Sequence, residues 1–295
     1  MECGESMGDY IYLICAVVVT ATLSIFGNFY NKKTEGVKDA STLYTLLLMG
    51  GVFAFWLVSF LFDLQANVEV IGYSLLFATF YTLCNVGLIS ALRTGPLVLT
   101  SLLLQLSTIG IGIWSFIFWG VSITPLVIVG LVLVIIALCL CLWTGKSSEE
   151  KINPKWILYV LMVCIGNAGC GITQRTQQMR FDGKYGSFLM LVAMGISFII
   201  SLVAFLRNKP TYDKKIIQQT GFLPVLAGIS NGLSNLFVIV LATSSLSPSL
   251  IYPVIAIGGL MLTTICSAFI FKEKMHWWQW VGVLVGSIAV GVLSI

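Results

Sequence analysis

The chain has 295 residues, of which 58% are hydrophobic and only 9% charged. A soluble domain carries about a quarter charged residues, and a mean hydropathy of +0.99 leaves too little polar surface to cover a water-exposed fold. This excludes a soluble enzyme and a disordered protein, and the net charge of +4, from 16 basic and 12 acidic residues, is too small for a nucleic-acid partner.

What remains is an all-α, polytopic membrane protein whose principal partner is the lipid bilayer. Long apolar runs such as 126–143 and 277–295 read as helices, and the polar–apolar alternation of a membrane barrel is absent. About 20 apolar residues are needed per span. The runs predict ten transmembrane helices near 10–30, 41–62, 70–92, 96–118, 123–144, 155–177, 186–206, 219–243, 248–271 and 277–294. Before the first span stand Glu2, Glu5 and Asp9, so it lacks the basic flank of a cleaved signal peptide. Alternate loops carry 13 and 3 basic residues, and the 13 include Lys32, Lys33, Arg93, Arg207 and Lys214. The positive-inside rule then puts both termini outside the cell membrane.

Polar residues inside such spans are costly and usually face the protein interior. In the first span Thr20, Ser24 and Asn28 share a face. Tyr81 and Asn85 lie one turn apart in the third. Ser101, Gln105 and Thr108 follow in the fourth, and Asn167 and Gln174 in the sixth. The eighth carries Ser230, Asn231, Ser234 and Asn235, and Tyr252 opens the ninth. Such groups either join helices to one another or line a cavity. Amides have four hydrogen-bonding sites to satisfy. The candidate substrate-binding residues are therefore Asn85, Gln105, Asn231 and Asn235, together with Tyr81 and Tyr252.

Trp56 and Trp114 read as packing residues, with stacking on a substrate as the alternative. Trp277, Trp278 and Trp280 read as an interfacial belt. Arg175, near a helix end among Gln174, Gln177 and Gln178, reads as a side chain that snorkels to water, with attraction of an anion as the alternative. Gly228 and Gly232, like Gly282 and Gly286, form small-xxx-small faces. Seven of the eight cysteines fall in apolar spans without a Cys-x-x-Cys motif, which points to packing. The one histidine, His276, lies in a connector, and neither a nucleophile motif nor a metal cluster is visible, so no enzyme activity, metal or cofactor is expected.

From about residue 72 onward the halves superpose with a constant shift. Pro96 meets Pro248, Gly130 meets Gly282, and Ala137 meets Ala289. The expected domains are a five-helix repeat over 1–145 and a second over 146–295. An odd number of spans per repeat inverts the second against the first, giving a 5+5 inverted repeat, a common plan of secondary transporters.

This plan, with Ser247–Pro248–Ser249–Leu250–Ile251–Tyr252–Pro253–Val254, Phe271–Lys272–Glu273–Lys274–Met275 and Gln279–Trp280–Val281–Gly282, resembles the EamA-like branch of the drug/metabolite transporter superfamily, which is related to the small multidrug resistance proteins. The first half departs from the pattern. Trp119, Gly120, Val121 and Ser122 replace the Glu-containing connector, and Ser101 stands where Pro253 stands. Many members of that branch have cytoplasmic termini, opposite to the charge count. The resemblance implies a central cavity lined by the third, fourth, eighth and ninth spans, pairing of the fifth span with the tenth, and structural roles for Gly130 and Gly282. It implies a monomeric carrier, or a homodimer, that moves a small-molecule substrate by alternating access, as an exporter. A channel or a lipid-carrier flippase-like subunit is the alternative. The first span has no acidic residue, so the membrane-embedded carboxylate that drives small multidrug transporters has no counterpart there.

Overall fold

The computed structural model describes residues 2–37, 39–94, 97–141, 154–208, 218–270 and 276–293. The described residues are mostly helical, joined by short turns and connectors, and contain no strand. The helices are α1 (Glu2–Lys33), α2 (Ala40–Asp63), α3 (Val68–Thr94), α4 (Leu97–Phe118), α5 (Pro125–Cys141), α6 (Pro154–Arg180), α7 (Gly186–Asn208), α8 (Phe222–Ala242), α9 (Pro248–Ile270) and α10 (Trp277–Leu293). Seven of them, α1 to α3 and α6 to α9, contain segments long and apolar enough to cross a membrane. Three further apolar stretches, Leu103–Phe118, Pro125–Cys141 and Trp277–Leu293, are shorter. The outer surface is apolar: Leu61, Phe62, Ile128, Val132, Ile199, Leu284 and Ile288 all stand exposed. A soluble protein would hide these groups. The chain is a helical integral membrane protein.

Helix ends follow local chemistry. Pro125, Pro154 and Pro248 each open a helix, where the absent N–H costs nothing. α6 stops where Gly183 takes a left-handed φ of 77°, and its N–H donates to the Gln178 carbonyl at 2.9 Å. Pro253 sits inside α9, which continues through it to Ile270.

Lipid offers little hydrophobic drive between helices, so close van der Waals approach must hold them together. α3 packs on α6, and α1 packs on α8. α2 packs on α7 and α8, and α3 also touches α7. α9 lies against α1, α4, α5 and α10, α4 lies against α6, and α5 runs along α10. Small residues sit at the tightest crossings. A Cβ on Gly228 would lie 3.0 Å from Gly51 Cα, so α2 and α8 meet backbone to backbone. A Cβ on Gly166 would lie 2.6 Å from the Cys84 nitrogen, where α6 crosses α3. A Cβ on Gly282 would lie 2.6 Å from the Cys141 nitrogen, where α10 crosses α5. Gln279 spans the same seam, donating from Nε2 to the Cys141 carbonyl at 3.1 Å and accepting from the His276 N–H at 2.9 Å.

The core has two main parts. One gathers Leu13, Val134, Leu138, Leu241, Ile251 and Ile257 around α9. The other gathers Val52, Trp56, Phe77, Leu189, Met190 and Ala227 between α2, α3, α7 and α8. The cysteines described there and elsewhere are free thiols. The second core forms the wall of the cavity described next.

Candidate functional site

Between α2, α3 and α7 lies a cavity of about 330 Å³. That is within the usual size range for small-molecule sites. From α2 it is lined by Ser41, Thr42, Thr45 and Met49. From α3 it is lined by Tyr81, Thr82, Asn85 and Val86, and from α7 by Ser197, Ile200, Ser201 and Ala204. Ser41 and Ala204 are exposed at one end, while Met49 and Ser197 are buried at the other. The cavity therefore deepens from the end where α2 begins and α3 and α7 finish. Lys32, Lys33 and Arg207 lie at that same end.

The lining is rich in hydroxyls at one-turn spacing, and three of them are held by their own helices. Thr45 donates to the Ser41 carbonyl at 2.9 Å, Ser197 to Ala193 at 3.0 Å, and Ser201 to Ser197 at 2.9 Å. Asn85 Nδ2 donates to the Tyr81 carbonyl at 2.8 Å, which leaves its Oδ1 as an acceptor at the cavity wall. A hydroxyl that donates backward to a carbonyl keeps its lone pairs for another partner. The cavity is thus an uncharged array of acceptors beside apolar Met49, Val86 and Ile200. A second, apolar groove of about 410 Å³ adjoins it and shares Thr82, Val86 and Ile200. Leu75, Leu83, Met162 and Ile196 extend this groove along the faces of α3, α6 and α7.

Of the six residues singled out by sequence, Tyr81 and Asn85 line this cavity. The other four lie elsewhere. Asn235 Nδ2 donates to the Asn231 carbonyl at 2.9 Å and to Asn231 Oδ1 at 3.3 Å, within α8. The Asn235 carbonyl accepts from Gln174 Nε2 of α6 at 3.3 Å. Tyr252 is buried, and its hydroxyl donates to the Gly171 carbonyl of α6 at 3.3 Å. Gln105, half-buried on α4, has no side-chain hydrogen-bond partner among the described residues. The helices that line this cavity are α2, α3 and α7. Sequence reading missed Ser41, Thr42, Thr45, Thr82, Ser197 and Ser201. The four-residue spacing of Ser41 with Thr45 and of Ser197 with Ser201 was the available signal.

Other polar groups join helices. Thr20 and Ser234 hydroxyls meet at 2.8 Å between α1 and α8. Asn167 donates to the Ser107 hydroxyl at 2.7 Å, and Trp156 Nε1 to the Thr100 hydroxyl at 2.9 Å, both between α6 and α4. Trp56 is fully buried, Trp114 stacks on Phe118 with centroids 4.0 Å apart, and Trp277 stacks on Trp278.

The end opposite the cavity mouth is tied by polar contacts. Asp9 Oδ2 accepts from the Ser245 N–H at 3.1 Å and from its hydroxyl at 2.8 Å. Gln177 Nε2 donates to the Lys184 carbonyl at 2.9 Å, holding the α6–α7 turn. Arg175 corrects the expectation that it reaches water. It is only 8% exposed. Its guanidinium carbon lies 5.4 Å from the centre of the Trp119 ring, and its Nε and Nη1 have no hydrogen-bond partner among the described residues. Trp119 follows the end of α4, and its ring faces the guanidinium.

A solved crystal structure of another protein matches this chain with a TM-score of 0.75 at 14% identity. The match covers 97% of this chain and 96% of the other, so the two share a fold along their whole length. No family model and no curated relative matches the sequence.

Proposed function

We propose that the protein is a secondary transporter of a small molecule. In this reading it works by alternating access between two inverted five-helix repeats and resembles the EamA-like drug/metabolite transporters. The observation that carries the reading is the exchange symmetry of the helix packing. Shifting each helix by five converts the α3–α6 contact into α8–α1, α2–α8 into α7–α3, and α1–α9 into α6–α4. The pairs α2–α7, α4–α9 and α5–α10 map onto themselves. Two like bundles of opposite insertion that share such a seam are the architecture on which rocking carriers are built. The hydroxyl-lined cavity, open at one end and tied shut at the other, fits one state of such a cycle. In this reading Asn85, Tyr81, Ser197 and Ser201 hold the solute, and the basic end of the cavity faces the cytoplasm.

The test begins with a thermal-shift screen of metabolites on the purified protein. Stabilising compounds are then measured for counterflow in proteoliposomes. Saturable counterflow is expected, with loss on Asn85→Leu or Ser201→Leu in variants of parental folded yield. Flux that neither saturates nor exchanges would favour a channel, and parental counterflow in both variants would remove the cavity from the mechanism.

A further inference from the structure

Arg175 stands out from every other charge in the described structure. The ion pair found among the described residues joins Glu69 to Arg180 at 4.0 Å, on the surface. Arg175 lies five residues before the end of α6, about 8 Å along the helix axis, and is more than nine-tenths buried. A buried charge is costly unless a counter-charge and hydrogen bonds compensate it. Lysine or histidine in such a place can shed its proton, whereas a guanidinium cannot. The stack on Trp119 compensates only in part, because a ring face offers no hydrogen-bond acceptor for the guanidinium edge. Two guanidinium nitrogens, Nε and Nη1, find no acceptor among the described residues. The neighbouring Gln174 and Gln177 direct their amide nitrogens at the carbonyls of Asn235 and Lys184 instead. Tyr252 spends its hydroxyl proton on the Gly171 carbonyl, one turn before Arg175.

We propose that Arg175 is the recognition point for an anionic oxygen group, a carboxylate or a phosphate, carried by the transported solute. The proposal rests on the transport reading and sharpens its substrate class. The planar guanidinium fork matches the oxygens of both anions. Arg175 lies near the end of α6 that turns into α7, at the end of the bundle opposite the mouth of the hydroxyl-lined cavity. A solute whose neutral body is held by Asn85, Ser197 and Ser201 in one state would thus present its anionic group to Arg175 as the tied end opens. The unpaired charge makes the empty site costly and the occupied site favourable, which gives the solute a differential affinity between states.

The experiment uses purified full-length protein in detergent at constant ionic strength. Thermal shift is recorded against acetate, butyrate and succinate, each beside its amide, and against inorganic phosphate. At least one anion is expected to raise the melting temperature in a saturable way while the matching amide does not. A carboxylate-only response assigns carboxylate, and a phosphate-only response assigns phosphate. Arg175→Met is expected to weaken the anion about tenfold or more, and Arg175→Lys to retain part of the response. Without ligand, Arg175→Met should melt no lower than the parent, since it removes an uncompensated charge; a purely structural arginine would give the reverse. Equal response to anion and amide in the parent, or an unchanged anion response in Arg175→Met, overturns the proposal. If Arg175→Met does not fold, the parent comparison and Arg175→Lys decide. Counterflow separates the two readings. Anion binding without counterflow keeps Arg175 and overturns transport. Counterflow of neutral solutes without an anion response keeps transport and overturns Arg175.

Discussion

The seam between α2 and α8 should fail on the addition of one methyl group. A Cβ at position 228 would lie 2.9 Å from the Val52 nitrogen and 3.0 Å from Gly51 Cα, and closer still to the Leu48 carbonyl oxygen. All three are backbone atoms, so no side chain can rotate away. Carbon contacts settle at about 3.5–4.0 Å, and so the helices must separate by about 0.5–1 Å to admit Gly228→Ala. Overpacking of this kind costs about 1–3 kcal/mol. A rigid backbone contact belongs at the upper end of that range, and the better helix propensity of alanine returns about 1 kcal/mol. The net expectation is a loss of about 1–2 kcal/mol. Gly72 supplies the control, because a Cβ there meets nothing within 4 Å. Gly72→Ala should therefore stabilise α3 by about 0.5–1 kcal/mol. Unfolding in one detergent, followed by tryptophan fluorescence, compares the two. Gly228→Ala melting at or above Gly72→Ala would refute the backbone contact, and with it the helix pairing that frames the cavity.

Two further outcomes follow. Gln279→Leu removes the bonds to the Cys141 carbonyl and from the His276 N–H. It should lower stability by about 1–3 kcal/mol in the same unfolding assay, and an unchanged melting point would show that Gln279 does not bind α10 to α5. Under the transport reading, accumulation in proteoliposomes should not respond to an imposed pH gradient. Among the described residues Glu35, Asp39, Asp63, Glu69 and Asp182 lie in connectors or at helix ends, Asp9 meets Ser245 at the tied end, and Glu273 lies outside the described residues. Proton-driven uptake that disappears in a folded Glu273→Gln variant would reverse that expectation.

The helices were legible because their cause is local. An apolar run bounded by charges or prolines is written in consecutive residues, and the runs read at 123–144 and 248–271 correspond to Pro125–Cys141 and Pro248–Ile270. α1 begins earlier than its apolar run, since Glu2–Asp9 continues the helix beyond it. The cavity was less legible because its cause is pairwise. Thr45, Ser197 and Ser201 resemble ordinary helix decoration, each bonded to a carbonyl of its own helix. What gathers them is the meeting of α2 with α7, about 150 residues apart in sequence, which no local pattern states. Arg175 misled for the same reason. A cation near a helix end ordinarily reaches water, and only the folded path of the chain after α4 brings Trp119 over it.

The cavity lining and the far end also differ in how their polar groups bond, while Trp156–Thr100 and Gln279–Cys141 join other helices at the cavity end. At the cavity end the hydroxyls bond within their own helices, so α2, α3 and α7 are not tied there by the bonds that line the cavity. At the far end the ties cross between elements: Asp9 to Ser245, Gln174 to Asn235, and Tyr252 to Gly171. The last two are long, at 3.3 Å each, and the first is exposed. Each such bond contributes about 0.5–1.5 kcal/mol net, so together they hold that end by a few kcal/mol. A gap of a few kcal/mol is the range in which a minor conformation stays populated at about 0.1–10% and a ligand can shift the balance. The glycine seams behave otherwise, because backbone packed on backbone cannot yield by small steps. Motion in the transport reading therefore loosens the polar ties at the far end and pivots about the seam of Gly51 and Gly228, which joins α2 of one repeat to α8 of the other.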